Sequence, residues 1–454
     1  MSERIRKGII NAYGFGELGF IIMMTLATTY YSYFLTDVAY IGAAAMGTIL
    51  LVARIVDAIS VPIAGAIIEK SNMKWGKYRS WILASPPFIL LFFILMFTNL
   101  NISPVAKAIY LGGSYIIAHV CVNLGYTSYL SLIPILGTEP KDRLLLASRR
   151  GQANAAGKII FSVIAMPMII FLGGGNEGRG FFITTIIFTS LMLIGFYIVA
   201  NISKDFDTSR DTNTKKEKLS TNEMISQVFI NKPLLILMFT EITRWTSMFT
   251  LYGLAAYYFR YVVDNMLMIS VFFTSVNIAM LVGTTVAAPL AQKIGKRNTY
   301  LCGLGILLLS LVLAWLIANN AMTFIVLMTI GYFGFAFGNN LNAAMYSDAV
   351  DYGEWKTGKN ARGFIMSMFS LPIKIGIAIG GAAVGYGLAA IGYMADSVAT
   401  TQLVGSINML ITLLPAFFVA LGIIGMFFYK LNNENIIQMQ LEIQQRKASE
   451  NPVN

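Results

Sequence analysis

Hydrophobic and polar positions alternate along this chain on a long wavelength: extended apolar runs are separated by short polar turns. A membrane-spanning helix needs about 20 apolar residues. Twelve runs approach or exceed that length, over residues 9–37, 41–68, 80–98, 104–136, 150–173, 180–201, 233–262, 267–292, 299–318, 321–346, 363–392 and 402–430. They are too long and continuous for barrel strands, and a helix satisfies its own backbone groups in lipid. An all-α membrane protein of twelve transmembrane helices is expected. The first run is too long for a signal-peptide core and no cleavage site follows it, so the first helix is expected to be retained. The tail has apolar residues at Ile436, Ile437, Met439, Leu441 and Ile443, a spacing that predicts a short amphipathic surface helix.

The two ends of the chain echo each other. Gly76-Lys77-Tyr78-Arg79 follows the second run, and Gly295-Lys296-Arg297 follows the eighth. Arg150-Gly151 precedes small residues and Lys158; Arg362-Gly363 precedes a run with Lys374 and Gly380-Gly381. The expected organisation is an N-terminal six-helix half (1–201), a polar linker (202–232), a C-terminal six-helix half (233–430) and a tail (431–454). Paired six-helix halves are the build of many secondary carriers, which bind substrate near the midplane between them.

Composition sharpens this picture. Hydrophobic residues make up 56 % and charged residues 12 %, and the mean hydropathy is +0.67, a polytopic balance. The net charge of +11 sits in alternate loops, so it reports orientation and not nucleic-acid binding. One side has Arg4, Arg6 and Lys7; Lys70, Lys74, Lys77 and Arg79; Lys141, Arg143, Arg149 and Arg150; Lys293, Lys296 and Arg297; and Lys356, Lys359 and Arg362. The other has little beyond Lys107, Arg179 and Arg260. This asymmetry places both termini in the cytoplasm, in a bacterial inner membrane. Cys121 and Cys302 lie in apolar runs without ligand spacing, which argues against a disulfide framework or zinc site. There is no P-loop and no Ser/His/Asp set, and the one histidine, His119, reads as a satisfied core residue. No enzyme activity, cofactor or metal site is expected. Transport driven by an ion gradient, or passive transport, remains.

The stretch 47–81 carries the most telling chemistry. A charge at the centre of a span costs about 2.5–3.5 kcal/mol on insertion scales. Arg54 and Asp57, three apart, share one helical face. They read either as a structural ion pair or as a coupling site for a cation. Other polar groups within runs are Glu17, Thr28, Thr29 and Tyr30; Ser60; Asn123, Tyr126 and Ser128; Arg150, Gln152 and Asn154; Glu241, Arg244, Trp245 and Tyr252; Asn339, Asn340 and Asn342; and Ser370 and Lys374. Planar hydrogen-bonding side chains beside an aromatic face suit sugars. Helix packing or an interfacial belt explains any single Tyr or Trp. Lys374 lies well inside its span and reads as a functional cation. Pro62, Pro134 and Pro372 let helices bend.

Four stretches then carry a resemblance: YGFGELGF at 13–20, VARIVDAISVPIAGAII at 52–68, KWGKYRSWI at 74–82 and SDAVDYGEWKTG at 347–358. They resemble the glycoside–pentoside–hexuronide cation symporters of the major facilitator superfamily, and VAYIGAAAMGTILLVARIVDA at 38–58, AQKIGKRNTYL at 291–301 and VDYGEWKTG at 350–358 resemble the glucuronide branch more than the melibiose branch. The resemblance runs from Tyr13 to the end of the twelfth span. It implies that Asp57 is the first cation-site aspartate, with Val61 where melibiose carriers have a second and Asn123 where they have a threonine. Ile21 and Tyr126 stand at the places of their two sugar-binding aspartates. Arg150 and Lys374 match basic residues near the sugar and cation sites. Asp348, Asp351 and Glu354, with Arg79, match a cytoplasmic gate.

The resulting expectation is a symporter importing a glycoside, a glucuronide or other hexuronide, by alternating access, acting as a monomer in the lipid bilayer. Asp57, Ser60, Asn123 and Lys374 form the cation-coupling set. Tyr30, Tyr126, Arg150, Trp245, Asn339, Asn342, Ser370 and Lys374 form the substrate set. A proton is favoured over sodium because one titratable group suffices for it, whereas sodium needs several oxygen ligands. The alternatives are an uncoupled sugar facilitator or exchanger, and a lipid-handling or sensor protein on a carrier scaffold.

Overall fold

The computed structural model of the chain describes residues 7–71, 73–137, 139–207, 228–358, 365–366 and 368–450. All regular structure among them is helical. Helix α1 spans Lys7–Tyr33 and continues through a π turn, Phe34–Val38. Then come α2 (Ala43–Lys70), α3 (Arg79–Met96), α4 (Pro104–Ser131), α5 (Pro140–Gly173) and α6 (Glu177–Ile202). Helix α7 (Lys232–Tyr257) likewise ends in a π turn, Tyr258–Val262. It is followed by α8 (Met268–Ile294), α9 (Lys296–Ile317), α10 (Ala321–Phe335 and, past Ala336, Phe337–Thr357), α11 (Leu371–Ala390), α12 (Thr401–Phe427) and the tail helix α13 (Asn433–Glu450).

Eleven of these stretches are long and apolar enough to cross a membrane. Helix α7 is as long, but Glu241 and Arg244 lower its hydropathy. Local chemistry sets the helix starts. Ser103, Asn176 and Asn320 cap α4, α6 and α10 by accepting a backbone N–H from the first turn, which satisfies a donor the helix leaves orphaned. Pro104 and Pro140 stand in first turns, where a missing N–H costs nothing.

Two boundaries differ from expectation. Helix α5 begins at Pro140, ten residues before the apolar run, because the polar stretch through Arg150 is itself helical. Helix α10 runs to Thr357, so the DYGEW stretch is the last turns of a helix and not a loop. Most of the expected linker, and Arg4, Arg6, Lys359 and Arg362, lie outside the described residues.

The chain forms two compact units. The first contains α1 to α6 with Tyr252–Thr274 and Gly381–Ile407. In it α1 packs against α5 and α6, and α2 and α3 against α4. Helices α2 and α11 meet at Gly47 and Gly385, where a Cβ on Gly385 would sit 2.3 Å from the Gly47 Cα. Such contacts let backbones approach where lipid supplies no hydrophobic drive. The turn after α2 needs Gly76 at φ +104°. Asp207, just past α6, holds this turn by accepting from the Tyr78 and Arg79 amides at 2.8 and 2.6 Å.

The second unit contains the first part of α7, Ser275–Gly380, and the chain from Asn408. Here α9 packs on α10, and α13 packs on the second segment of α10. Arg297 closes the C-terminus of α12, donating to the carbonyls of Met426 (3.2 Å) and Phe427 (2.7 Å).

Candidate functional site

In the first unit, α2 and α4 assemble a polar cluster around Asp57. Asp57 is buried, as are Arg54 and Ser60. The Asn123 amide donates to Asp57 Oδ1 and to Ser60 Oγ, both at 2.7 Å. Ser60 Oγ donates to the Asp57 carbonyl at 2.9 Å. Arg54 Nη1 lies 3.7 Å from Asp57 Oδ2, while its Nη2 donates to the Tyr115 hydroxyl. Tyr115 stacks on Tyr31, with centroids 4.7 Å apart. His119 sits against the Tyr115 ring with Nδ1 2.9 Å from the Tyr115 carbonyl. Three of the four expected coupling residues thus meet; Lys374 belongs to the second unit.

A second cluster in the same unit joins α1, α4 and α5. Glu17 is fully buried on the inner face of α1. Tyr126 donates its hydroxyl to Glu17 at 3.2 Å, and the Asn154 amide donates at 2.9 Å. Arg150 Nη1 donates to Tyr126 at 3.1 Å. Lys158, two turns further along α5, lies in the field of the Glu17 carboxylate. Phe20 stacks on Tyr126 at 4.0 Å. Tyr126 and Arg150, both expected in the substrate set, are therefore neighbours. Glu17 was named in the sequence without a role. Its position one turn before Ile21 on α1 was the available signal, because residues four apart share a helical face. Tyr30 is buried among Phe161, Phe181 and Phe273.

The second unit holds its own buried ion pair. Arg244 donates to both Glu241 oxygens, at 3.1 and 2.8 Å, and to Asn339 Oδ1 at 3.1 Å. The Tyr300 hydroxyl and the Trp245 indole N–H also donate to Glu241. The guanidinium lies over Phe335, 4.3 Å from its centroid. Trp245 and Asn339 of the expected substrate set are therefore tied into this pair. Asn342 is buried with Oδ1 lacking a hydrogen-bond partner among the described residues. Ser370 ends a short 3-10 turn before α11, and Lys374 stands in the first turns of α11.

Of the four expected gate residues, Asp348, Asp351 and Glu354 lie on α10 and Arg79 opens α3. Lys296 donates to both Asp348 oxygens, at 2.8 and 2.7 Å. Asp351 accepts from Gln440 of α13 at 2.7 Å, and Glu354 is buried on α10. Arg79, in the first unit, donates to the Ala200 carbonyl at 2.7 Å.

Sequence reasoning missed a third cluster, on the face opposite the basic loops and within the first unit. Asp37, in the π turn ending α1, is buried. It accepts hydrogen bonds from Tyr261 and Tyr393, each at 2.6 Å, and from Thr36 at 2.7 Å. Burial, and then the Asp37 charge, push the Tyr393 hydroxyl far above the usual tyrosine range, so it is a donor. Beside them Arg260 donates to Glu177 at 2.8 Å. These contacts fasten the ends of α7 and α11 to the end of α1. Among the described residues no three His, Cys, Asp or Glu side chains come together as metal ligands.

A family model described as "MFS/sugar transport protein" matches residues 12–433. The chain is 32 % identical to the isoprimeverose transporter of Lactiplantibacillus pentosus, over 97 % of this chain and 92 % of that protein. It is 28 % identical to the glucuronide carrier protein homolog of Escherichia coli K12, over 98 % and 97 %. Among solved structures, a bacterial homolog of the human lysosomal transporter Spinster superposes with a TM-score of 0.71 at 14 % identity, covering 97 % of this chain and 99 % of that one.

Proposed function

The chain belongs to the MFS/sugar transport protein family, and on that premise we propose that it imports a glycoside together with a cation by alternating access. It is a multi-pass sugar transporter and not an enzyme. In the proposed mechanism the half 1–201 and the half 233–430 rock about a central site. Both termini lie on the cytoplasmic side of a bacterial inner membrane, in keeping with the basic loops, and the carrier works as a monomer.

One observation carries the coupling assignment. Asp57 is a buried carboxylate on a membrane-spanning helix that accepts from the neutral amide of Asn123 at 2.7 Å, with Arg54 at 3.7 Å. Proton coupling needs only one titratable group, and Asp57 supplies it. Intramembrane acids usually mark ion pathways. With one carboxylate the set is thin for sodium, which prefers several oxygen ligands, so the coupling ion is a proton. Lys374 balances the site from α11. Arg79, Asp348, Asp351 and Glu354 act at the cytoplasmic gate.

The substrate set is Tyr126, Arg150, Tyr30, Trp245, Asn339, Asn342, Ser370 and Lys374. This set carries the cations Arg150 and Lys374 and no acid of its own, which favours a glycoside bearing a carboxylate, a glucuronide. Charge-assisted bonds from Arg to carboxylate are among the strongest available. A second reading has its own support: Glu17 already neutralises part of Arg150, and with Asn154 and Tyr126 it offers the acceptors that sugar hydroxyls need. That reading takes a neutral disaccharide in place of a glucuronide. Counterflow into proteoliposomes decides between them. Exchange of labelled glucuronide that a neutral disaccharide fails to inhibit supports the first. Exchange of neither sugar removes the glycoside proposal.

A further inference from the structure

We propose that the second unit binds one anionic phospholipid at its basic-loop end, in a cavity apart from the transport site. The cavity, about 590 Å³, lies between the start of α7, the end of α10 and the tail helix α13. Lys232 and Lys430 line it. Both are exposed, and neither has a hydrogen bond or ion pair among the described residues. The one acid on the wall, Glu442, is already engaged: Trp355 Nε1 donates to one oxygen at 2.6 Å and Gln438 Nε2 to the other at 3.1 Å. Two cations therefore face the space against one satisfied carboxylate. An anion is the complementary occupant.

The rest of the wall rules in a lipid over a soluble anion. Ile236 and Phe428 give it an apolar side, which a free phosphate would leave uncovered. Helix α13 turns Ile436 and Met439 inward, each 8 % exposed, yet leaves Ile437 and Leu441 outward at 60 % and 53 %. Residues four apart form one stripe, so α13 presents a second apolar edge at the ends of spanning helices, the disposition of a helix lying in the membrane interface. The cavity mouth is then at headgroup depth. A phosphate sits between Lys232 and Lys430 while an acyl chain follows Ile236 and Phe428 toward the bilayer.

Native mass spectrometry of the full-length protein, with phosphatidylglycerol or phosphatidylcholine added, tests this. Phosphatidylglycerol is expected to be retained over phosphatidylcholine. Each lysine near a membrane surface adds roughly fivefold to anionic-lipid binding, so Lys232→Gln with Lys430→Gln is expected to cut retention roughly 25-fold. Both side chains are exposed, and an unchanged melting curve verifies folding. Ile236→Trp, which fills the apolar side and keeps the charges, is expected to reduce retention too. Equal retention of both lipids, an unaffected double-lysine variant, or displacement of the lipid by glycerol phosphate at equal concentration overturns the proposal.

Discussion

Asn123 and Asp57 are joined by a 2.7 Å hydrogen bond, shorter than the 3.7 Å between Arg54 Nη1 and the other Asp57 oxygen. Of these two, the neutral amide holds the carboxylate more closely than the guanidinium, because Arg54 is shared with Tyr115. One carboxylate, one hydroxyl and one amide make a poor sodium cage. Val61 is one helical turn past Asp57 on the same face of α2. Val61→Asp is expected to make uptake respond to sodium, measured with and without the ion at constant ionic strength and pH. A variant that transports but ignores sodium contradicts the placement of the ion beside Asp57.

Glu17 and Arg150 touch the same tyrosine, Tyr126. Glu17→Gln removes the charge and keeps the shape. With a carboxylate-bearing substrate the change is expected to tighten apparent affinity, since Arg150 loses its competitor. If Glu17 itself accepts a sugar hydroxyl, the loss of a hydrogen bond to a charged group is worth about 1.5–3 kcal/mol, or some 10- to 100-fold weaker binding. Concentration dependence of uptake for a glucuronide and a neutral disaccharide separates the two.

Asp37 accepts from Tyr261 and Tyr393. Asp37→Asn replaces two charge-assisted bonds by neutral ones, a loss of about 2 kcal/mol. Amide exchange at residues 258–262 and 393–396 is expected to quicken roughly 30-fold, while α13 is unchanged. Unaltered protection at those segments means that Asp37 does not fasten them.

Gly47 and Gly385 are not equivalent. A Cβ on Gly385 would lie 2.3 Å from Gly47, whereas one on Gly47 would lie 3.0 Å from Gly385. Gly385→Ala is expected to destabilise by about 1–3 kcal/mol through overpacking, and Gly47→Ala by less. Melting temperatures in one detergent check the order; the reverse order contradicts the packing of α2 on α11.

Much of this was legible in the chain. Apolar runs announced the spans because lipid demands length and continuity, and Arg54 with Asp57 stood out because charges are rare there. The early start of α5 was hidden by Arg143 and Arg149, whose long side chains reach water from a helix as readily as from a loop. Glu17 was visible but without a role, since its partners Tyr126 and Asn154 lie on other helices, 109 and 137 residues away. Asp37 was missed altogether. At the end of a run it reads as a turn residue, and its two tyrosines follow 224 and 356 residues later.

The most direct test is sugar accumulation in proteoliposomes under an imposed pH gradient, wild type against Asp57→Asn. One proton per sugar is worth about 1.4 kcal/mol per pH unit, hence about tenfold accumulation per unit. The expected result is concentrative uptake by the wild type and, with Asp57→Asn, exchange that persists without accumulation. Accumulation that survives in Asp57→Asn, or a wild type that only equilibrates its sugar, would contradict coupling through this carboxylate.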